Sequence, residues 1–125
     1  MCASPAPQPF EIRERDADGV HVIAMRGELD LATAPKLCVR IDAARLTGAR
    51  RLLVDLTTTG FCDSAGLRAL IGAHQEMAAH GGRMAVAARD DSAVGRLFAL
   101  AGAHELLEVH ADAAPALAAL ASHRS

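Results

Sequence analysis

The run Leu52-Leu53-Val54-Asp55-Leu56 is apolar at consecutive rather than alternate positions. Successive side chains of a strand point to opposite faces, so such a strand has to be buried on both sides, as in a mixed or parallel sheet. The period then changes. From Ser64 onward, Leu67, Leu70, Ile71 and Met77 fall on one helical face, and Gly81-Gly82 supplies a stop. Between the two patterns lies Thr59-Gly60-Phe61-Cys62-Asp63-Ser64-Ala65-Gly66-Leu67. A serine thus sits where a buried strand turns, through a short loop, into a helix. Helix N-termini carry unpaired N–H groups and a positive dipole end, which accommodate oxyanions and phosphate. Ser64 is the candidate functional centre.

The rest of the chain extends the same architecture. Alternation over 10–15 and 20–26, with Asp16-Ala17-Asp18-Gly19 between, predicts a β-hairpin. Gly27-Glu28-Leu29-Asp30 reads as a loop. Thr33 is a candidate N-cap with Pro35 in the first turn, Leu37, Ile41 and Ala44 form a buried stripe, and Gly48 ends the helix. Residues 84–88 read as a further strand, and Asp90-Asp91-Ser92 caps a helix with Val94, Leu97, Phe98 and Ala101 on one face. A short strand over 105–109 and an Ala/Leu-rich helix over 112–122 complete the chain. The order β-β-α-β-α-β-α-β-α predicts a single α/β domain over 10–122, a mixed, mainly parallel sheet of four to five strands carrying four helices. Residues 1–9, with three prolines and neither a basic nor an apolar stretch, read as a disordered arm rather than a signal peptide.

Composition excludes several functions. There is no Trp or Tyr and there are only three Phe, so stacking platforms for bases are missing, and a net charge of −2 removes the electrostatic footprint of a nucleic-acid-binding domain. No apolar run approaches the roughly 20 residues of a membrane span. The three cysteines, Cys2, Cys38 and Cys62, fit reduced thiols of a cytoplasmic protein better than a disulfide framework, with Cys38 and Cys62 as small core residues. None of the six histidines pairs with another at helical metal-site spacing, and no Cys-x-x-Cys occurs, so no metal site is expected. The histidines read as scattered surface residues, and Arg40, Arg45, Arg50 and Arg51 as solvated faces and strand flanks. Nothing resembles a Gly-x-Gly-x-x-Gly or Walker loop, so no cofactor is expected.

The plain alternative for Asp63-Ser64 is a helix cap, since either side chain satisfies orphan N–H groups. A serine-hydrolase reading requires Gly-x-Ser-x-Gly, yet position 62 is Cys, and His104 and His110 have no supporting pattern.

Segment 27–35, Gly-Glu-Leu-Asp-Leu-Ala-Thr-Ala-Pro, resembles the corresponding segment of STAS domains, the anti-sigma-factor antagonist family. Leu53-Val54-Asp55-Leu56 followed by Phe61-Cys62-Asp63-Ser64-Ala65-Gly66-Leu67 resembles that family's strand and phosphorylation loop. Ser92-Ala93-Val94-Gly95-Arg96-Leu97-Phe98 with Ala101-Gly102 is similar to its third-helix segment. The likeness spans residues 10 to about 120, four pieces in order at the right spacing. It implies a non-enzymatic, cytoplasmic anti-anti-sigma factor, a monomer with weak dimerisation as the alternative. Its partner would be an anti-sigma factor serine kinase, and phosphorylation at Ser64 would inactivate it. The resemblance further implies a partner-binding surface of Glu28 and Asp30 from the first segment, with Thr59, Gly60, Asp63, Ser64, Ala65, Gly66, Leu67 and Arg68 from the second. Two positions depart from the family: Ala65 stands where Ser or Thr is usual, leaving Ser64 the one hydroxyl of the motif, and Cys62 stands where Met or Ile is common. The competing expectation is a non-switching STAS module, a scaffold subunit or an accessory of lipid transport.

Overall fold

A computed structural model describes residues 9–121. The expected arm over 1–9 falls almost wholly outside the described residues, as does Ser122 at the end of the last helix. Strands β1 (Glu11–Ala17) and β2 (Val20–Leu29) form a hairpin whose two turn residues, Asp18 and Gly19, both have positive φ (54° and 77°). That is the turn whose twist matches paired strands, and Asp-Gly is its favoured sequence. There follow α1 (Ala34–Leu46), β3 (Arg51–Asp55), β4 (Thr59–Cys62), α2 (Ser64–Ala79), β5 (Arg83–Ala87), α3 (Ala93–Ala101), a 3₁₀ turn (Ala103–Glu105), β6 (Glu108–His110) and α4 (Ala113–Ala121). Among these helices none is long and apolar enough to cross a membrane.

The sheet runs β1-β2-β3-β5-β6, antiparallel between β1 and β2 and parallel elsewhere. Parallel register aligns Ile23, Val54 and Val86 on one face and Val22, Leu53 and Ala85 on the other. The first face joins Leu37, Ile41, Leu70, Met77 and Phe98 in the larger core; the second packs on Ala116 and Leu120 of α4. Two-sided burial is why β3 is apolar at every interior position.

The α/β class and the mainly parallel sheet stand as expected, with six strands instead of four to five. The extra strand is β4, which the sequence presents as loop. It pairs with β2 beyond the end of β3, Glu28 opposite Phe61 and Leu29 opposite Cys62. Residues 27–29, expected in a loop, therefore continue β2 through an irregularity between Gly27 and Glu28. Gly27 has φ 104°, and a Cβ there would lie 3.0 Å from the Phe10 Cα. The last strand starts at Glu108, because the preceding residues form the 3₁₀ turn. Cys38 is half-buried rather than in the core: it lies beside the Leu37–Ile41 stripe and lines an open groove with Ala69, Gly72 and Ala73 of α2.

His21 and Arg40 are not isolated surface groups. Alternation puts Glu14, Asp16 and His21 on one side of the hairpin, with Asp16 directly opposite His21. His21 Nε2 lies 2.7 Å from Glu14 Oε1 and Nδ1 lies 2.8 Å from Asp16 Oδ1. Arg40 of α1 donates from Nε to the other Glu14 oxygen. Burial alone would push the His21 pKa down, but its two carboxylate partners reverse this and hold it above the ordinary value. Burial likewise raises Glu14, and the hydrogen bonds from Arg40 and His21 more than offset it, so Glu14 is held low. A raised histidine stabilises the fold fully below the unfolded value of about 6.5 and ceases to do so as pH rises through the folded one. A lowered glutamate contributes above about 4.5 and loses its contribution as pH falls through its folded pKa. The network is therefore strongest between about pH 4.5 and 6.5. The melting temperature of wild type should fall more steeply than that of His21→Gln between about pH 6 and 8, read by calorimetry; parallel profiles would show that the network does not couple to folding.

Candidate functional site

The site forms where two parallel strands end together. Leu29 and Cys62 are paired neighbours at the ends of β2 and β4, both buried in the main core. One residue on, the Asp63 N–H donates to the Leu29 carbonyl at 3.1 Å, extending the ladder by one bond. Asp63 is extended (φ −103°, ψ −177°), and its carboxylate accepts the Gly66 N–H at 2.8 Å. That is N-cap geometry. The cap of α2 is thus Asp63, which settles the alternative left open by the sequence. Ser64 is the first residue of the helix and is exposed.

Four hydroxyls lie between β3 and α2, and three are committed. Thr57 Oγ1 donates to Asp55 Oδ1 at 2.7 Å, and Thr58 and Thr59 Oγ1 both donate to the Met25 carbonyl, at 3.3 and 2.7 Å. Ser64 Oγ has no hydrogen-bond partner among the described residues. It is the one hydroxyl of the segment that is both accessible and unengaged.

Gly66 fixes how closely α2 approaches β2. A Cβ at this position would stand 2.7 Å from the Leu29 carbonyl oxygen, 2.8 Å from Leu29 Cγ and 3.0 Å from Cys62 Sγ. Beside it, Asp30 organises the entry to α1. Its Oδ1 accepts the N–H groups of Ala32 and Thr33, each at 3.0 Å, and Thr33 Oγ1 donates to the Glu28 carbonyl at 2.6 Å. Thr33 occupies the N-cap position of α1 without capping through its side chain; the Asp30 carboxylate instead ties down the turn that leads into the helix.

These positions divide the residues expected at a partner surface. Glu28, Gly60, Ser64 and Arg68 are exposed, and Asp30, Asp63 and Ala65 are partly so. Thr59 (4% exposed), Gly66 and Leu67 are buried. Their side-chain positions face inward, so they shape the surface from beneath rather than present it. Cys62 is buried too, and burial, aided by the Asp63 charge, pushes its thiol up to about 12. It remains protonated and unreactive at neutral pH. Two residues the sequence did not single out do reach the surface here: Phe61, 44% exposed, and Leu31, 77% exposed. The only signal for them was faint, a large apolar residue in a segment read as loop.

The arrangement offers little to covalent catalysis. Among the described residues no histidine or carboxylate is hydrogen-bonded to Ser64 Oγ, and the His110 ring is engaged by Glu108 at 2.9 Å. Among the described residues no three His, Cys, Asp or Glu side chains gather as a metal site. Gly66→Ala should cost about 1–3 kcal/mol, since either the Leu29 backbone or α2 has to move. Asp63→Ala should cost about 0.5–2 kcal/mol through the lost cap. Urea denaturation of both variants checks this; a neutral Gly66→Ala would mean that the α2–β2 approach is not tight.

Known proteins share this fold and part of this sequence. The chain is 29% identical over 100 residues to the anti-sigma-B factor antagonist of Listeria monocytogenes, covering 80% of this chain and 86% of that protein. It superposes with a TM-score of 0.81 on an anti-sigma factor antagonist from Mycobacterium paratuberculosis, at 28% identity over 90% of this chain and 94% of the other. It shares the fold of the anti-sigma factor antagonist SpoIIAA in its unphosphorylated form, with a TM-score of 0.71 at 20% identity, covering 94% of this chain and all of that one. The STAS domain profile matches residues 11–116. With that match spanning most of its length, the chain belongs to the STAS domain family.

Proposed function

We propose that this protein is an anti-sigma factor antagonist whose partner is an anti-sigma factor with serine kinase activity. Unphosphorylated, it binds that partner and releases the sigma factor; phosphorylation of Ser64 ends the interaction. It acts as a cytoplasmic monomer, by binding and not by catalysis. The observation that carries this reading is the Ser64 hydroxyl, exposed and unengaged beside three threonine hydroxyls that are all committed internally. The names of the similar antagonists support it, as does the existence of an unphosphorylated form among them.

The physics of the switch follows from the helix start. Phosphate adds about −1.5 to −2 charge and three acceptor oxygens. Within this protein the N-terminus of α2 tolerates that charge, a favourable interaction of about 0.3–1 kcal/mol. Across an interface the sign reverses wherever the partner offers a carboxylate. At about 6 Å and an effective dielectric of about 20, repulsion is roughly 3 kcal/mol per unit charge before screening. Half of that lowers affinity about tenfold.

Incubation with the host's anti-sigma kinases and ATP should give a single phosphorylated residue, Ser64, and Ser64→Ala should take up none. Modification centred on the threonines at 57–59 would displace the site. Because Asp63 supplies the cap, Ser64→Ala should change stability by no more than about 0.5 kcal/mol and bind the kinase like wild type. Ser64→Asp should fold normally yet bind more weakly. If it and authentic phospho-Ser64 both bind like wild type, the switch is refuted in favour of a non-switching scaffold.

A further inference from the structure

Ser64 cannot be offered to a kinase as an extended peptide without local unfolding. The chain before it is tied by the Asp63–Leu29 bond, and the chain after it by Gly66 N–H on the Asp63 carboxylate. A kinase that acts on the native protein therefore recognises a folded surface around the hydroxyl. Phe61 precedes Ser64 by three residues, at most about 11 Å of extended chain. Leu31 is two residues beyond Leu29, whose carbonyl is bonded to Asp63. A partner footprint of about 800 Å² is a disc of roughly 16 Å radius, which takes in both residues.

We infer that Phe61 and Leu31 are the apolar anchors by which the anti-sigma kinase holds this protein, an inference that rests on the partner-switch reading of Ser64. Phe61 is on β4, outside both buried clusters, directly opposite exposed Glu28. Leu31 protrudes from the turn that Asp30 stabilises. Phe61 is of the aromatic type enriched at interface cores, and Leu31 adds apolar area whose removal from water is favourable. Glu28, Asp30 and Asp63 outnumber the exposed Arg68 on this surface and leave it net negative, so the complementary partner surface is an apolar recess rimmed mainly by lysine or arginine. Of the other exposed large apolar residues, Val39, Leu46, Leu100 and Leu106, two lie far along their helices. Leu46 (75%) closes α1, about 18 Å of helix away from its start, and Leu100 (87%) lies in the last turn of α3.

The test uses the full-length protein and the purified host kinase found to phosphorylate Ser64. Phe61→Ser and Leu31→Ser should each weaken binding about tenfold or more, and raise KM for phosphorylation with kcat unchanged. Phe61→Leu, which keeps the apolar bulk, should retain affinity within about threefold. Leu46→Ser and Leu100→Ser should bind like wild type, with melting temperatures recorded for every variant. Wild-type affinity in Phe61→Ser and Leu31→Ser, alongside weakened Ser64→Asp, overturns the anchors and leaves the switch standing. Wild-type affinity in Ser64→Asp as well removes the switch and the anchors together. Equal losses in Leu46→Ser and Leu100→Ser also overturn the inference, since the effect would then be nonspecific.

Discussion

The site depends on how closely helix α2 can come to the end of β2. There is no room for a side chain between Gly66 and the Leu29 carbonyl, and that same carbonyl receives the Asp63 N–H. Two elements distant in sequence thereby share one anchoring group. The segment from Glu28 to Asp30 and the segment from Asp63 to Leu67 become one surface, with no loop between them free to adjust. Beneath them, Leu29, Cys62 and Leu67 belong to the main core, so the surface is seated on packed side chains rather than carried by a loop.

Polar groups are used in the same economical way. Three aspartates at this end of the sheet have structural roles. Asp63 caps α2, Asp30 closes the turn into α1, and Asp55 accepts from Thr57. The threonine hydroxyls donate to the Met25 carbonyl and to the Asp55 carboxylate. Against that background the Ser64 hydroxyl differs in being exposed and without a partner among the described residues. Its freedom is a property of position: at the first helical residue, the capping bond is already made by its neighbour.

The architecture was legible where a hydrophobic pattern had one meaning. Consecutive apolar residues in β3 mean burial on both faces, and the stripes of α1, α2 and α3 fall on the periods observed. β4 was hidden because four residues, two of them exposed, carry no periodic signal; its pairing follows from the length of β2. The division of labour between Asp63 and Ser64 was hidden as well. Either can cap, and the backbone dihedrals decide. His21 looked solitary because its partners lie across a hairpin whose register sequence spacing suggests but does not prove. Phe61 and Leu31 gave only a faint signal, because single apolar residues are common on protein surfaces.

Strand β2 has 10 residues, twice the length of β3 or β5, and it serves two neighbours in turn: β3 along its first half, β4 along its last residues. The β3 ladder ends at Ala24 and the β4 ladder begins at Gly27, with an irregularity between Gly27 and Glu28 inside the second. Amide protons of β4 and of the first turn of α2 can consequently open to solvent without breaking any hydrogen bond between β2, β3 and β5. Opening of this corner is therefore distinct from global unfolding, and its amide exchange should outpace that of β3 and β5.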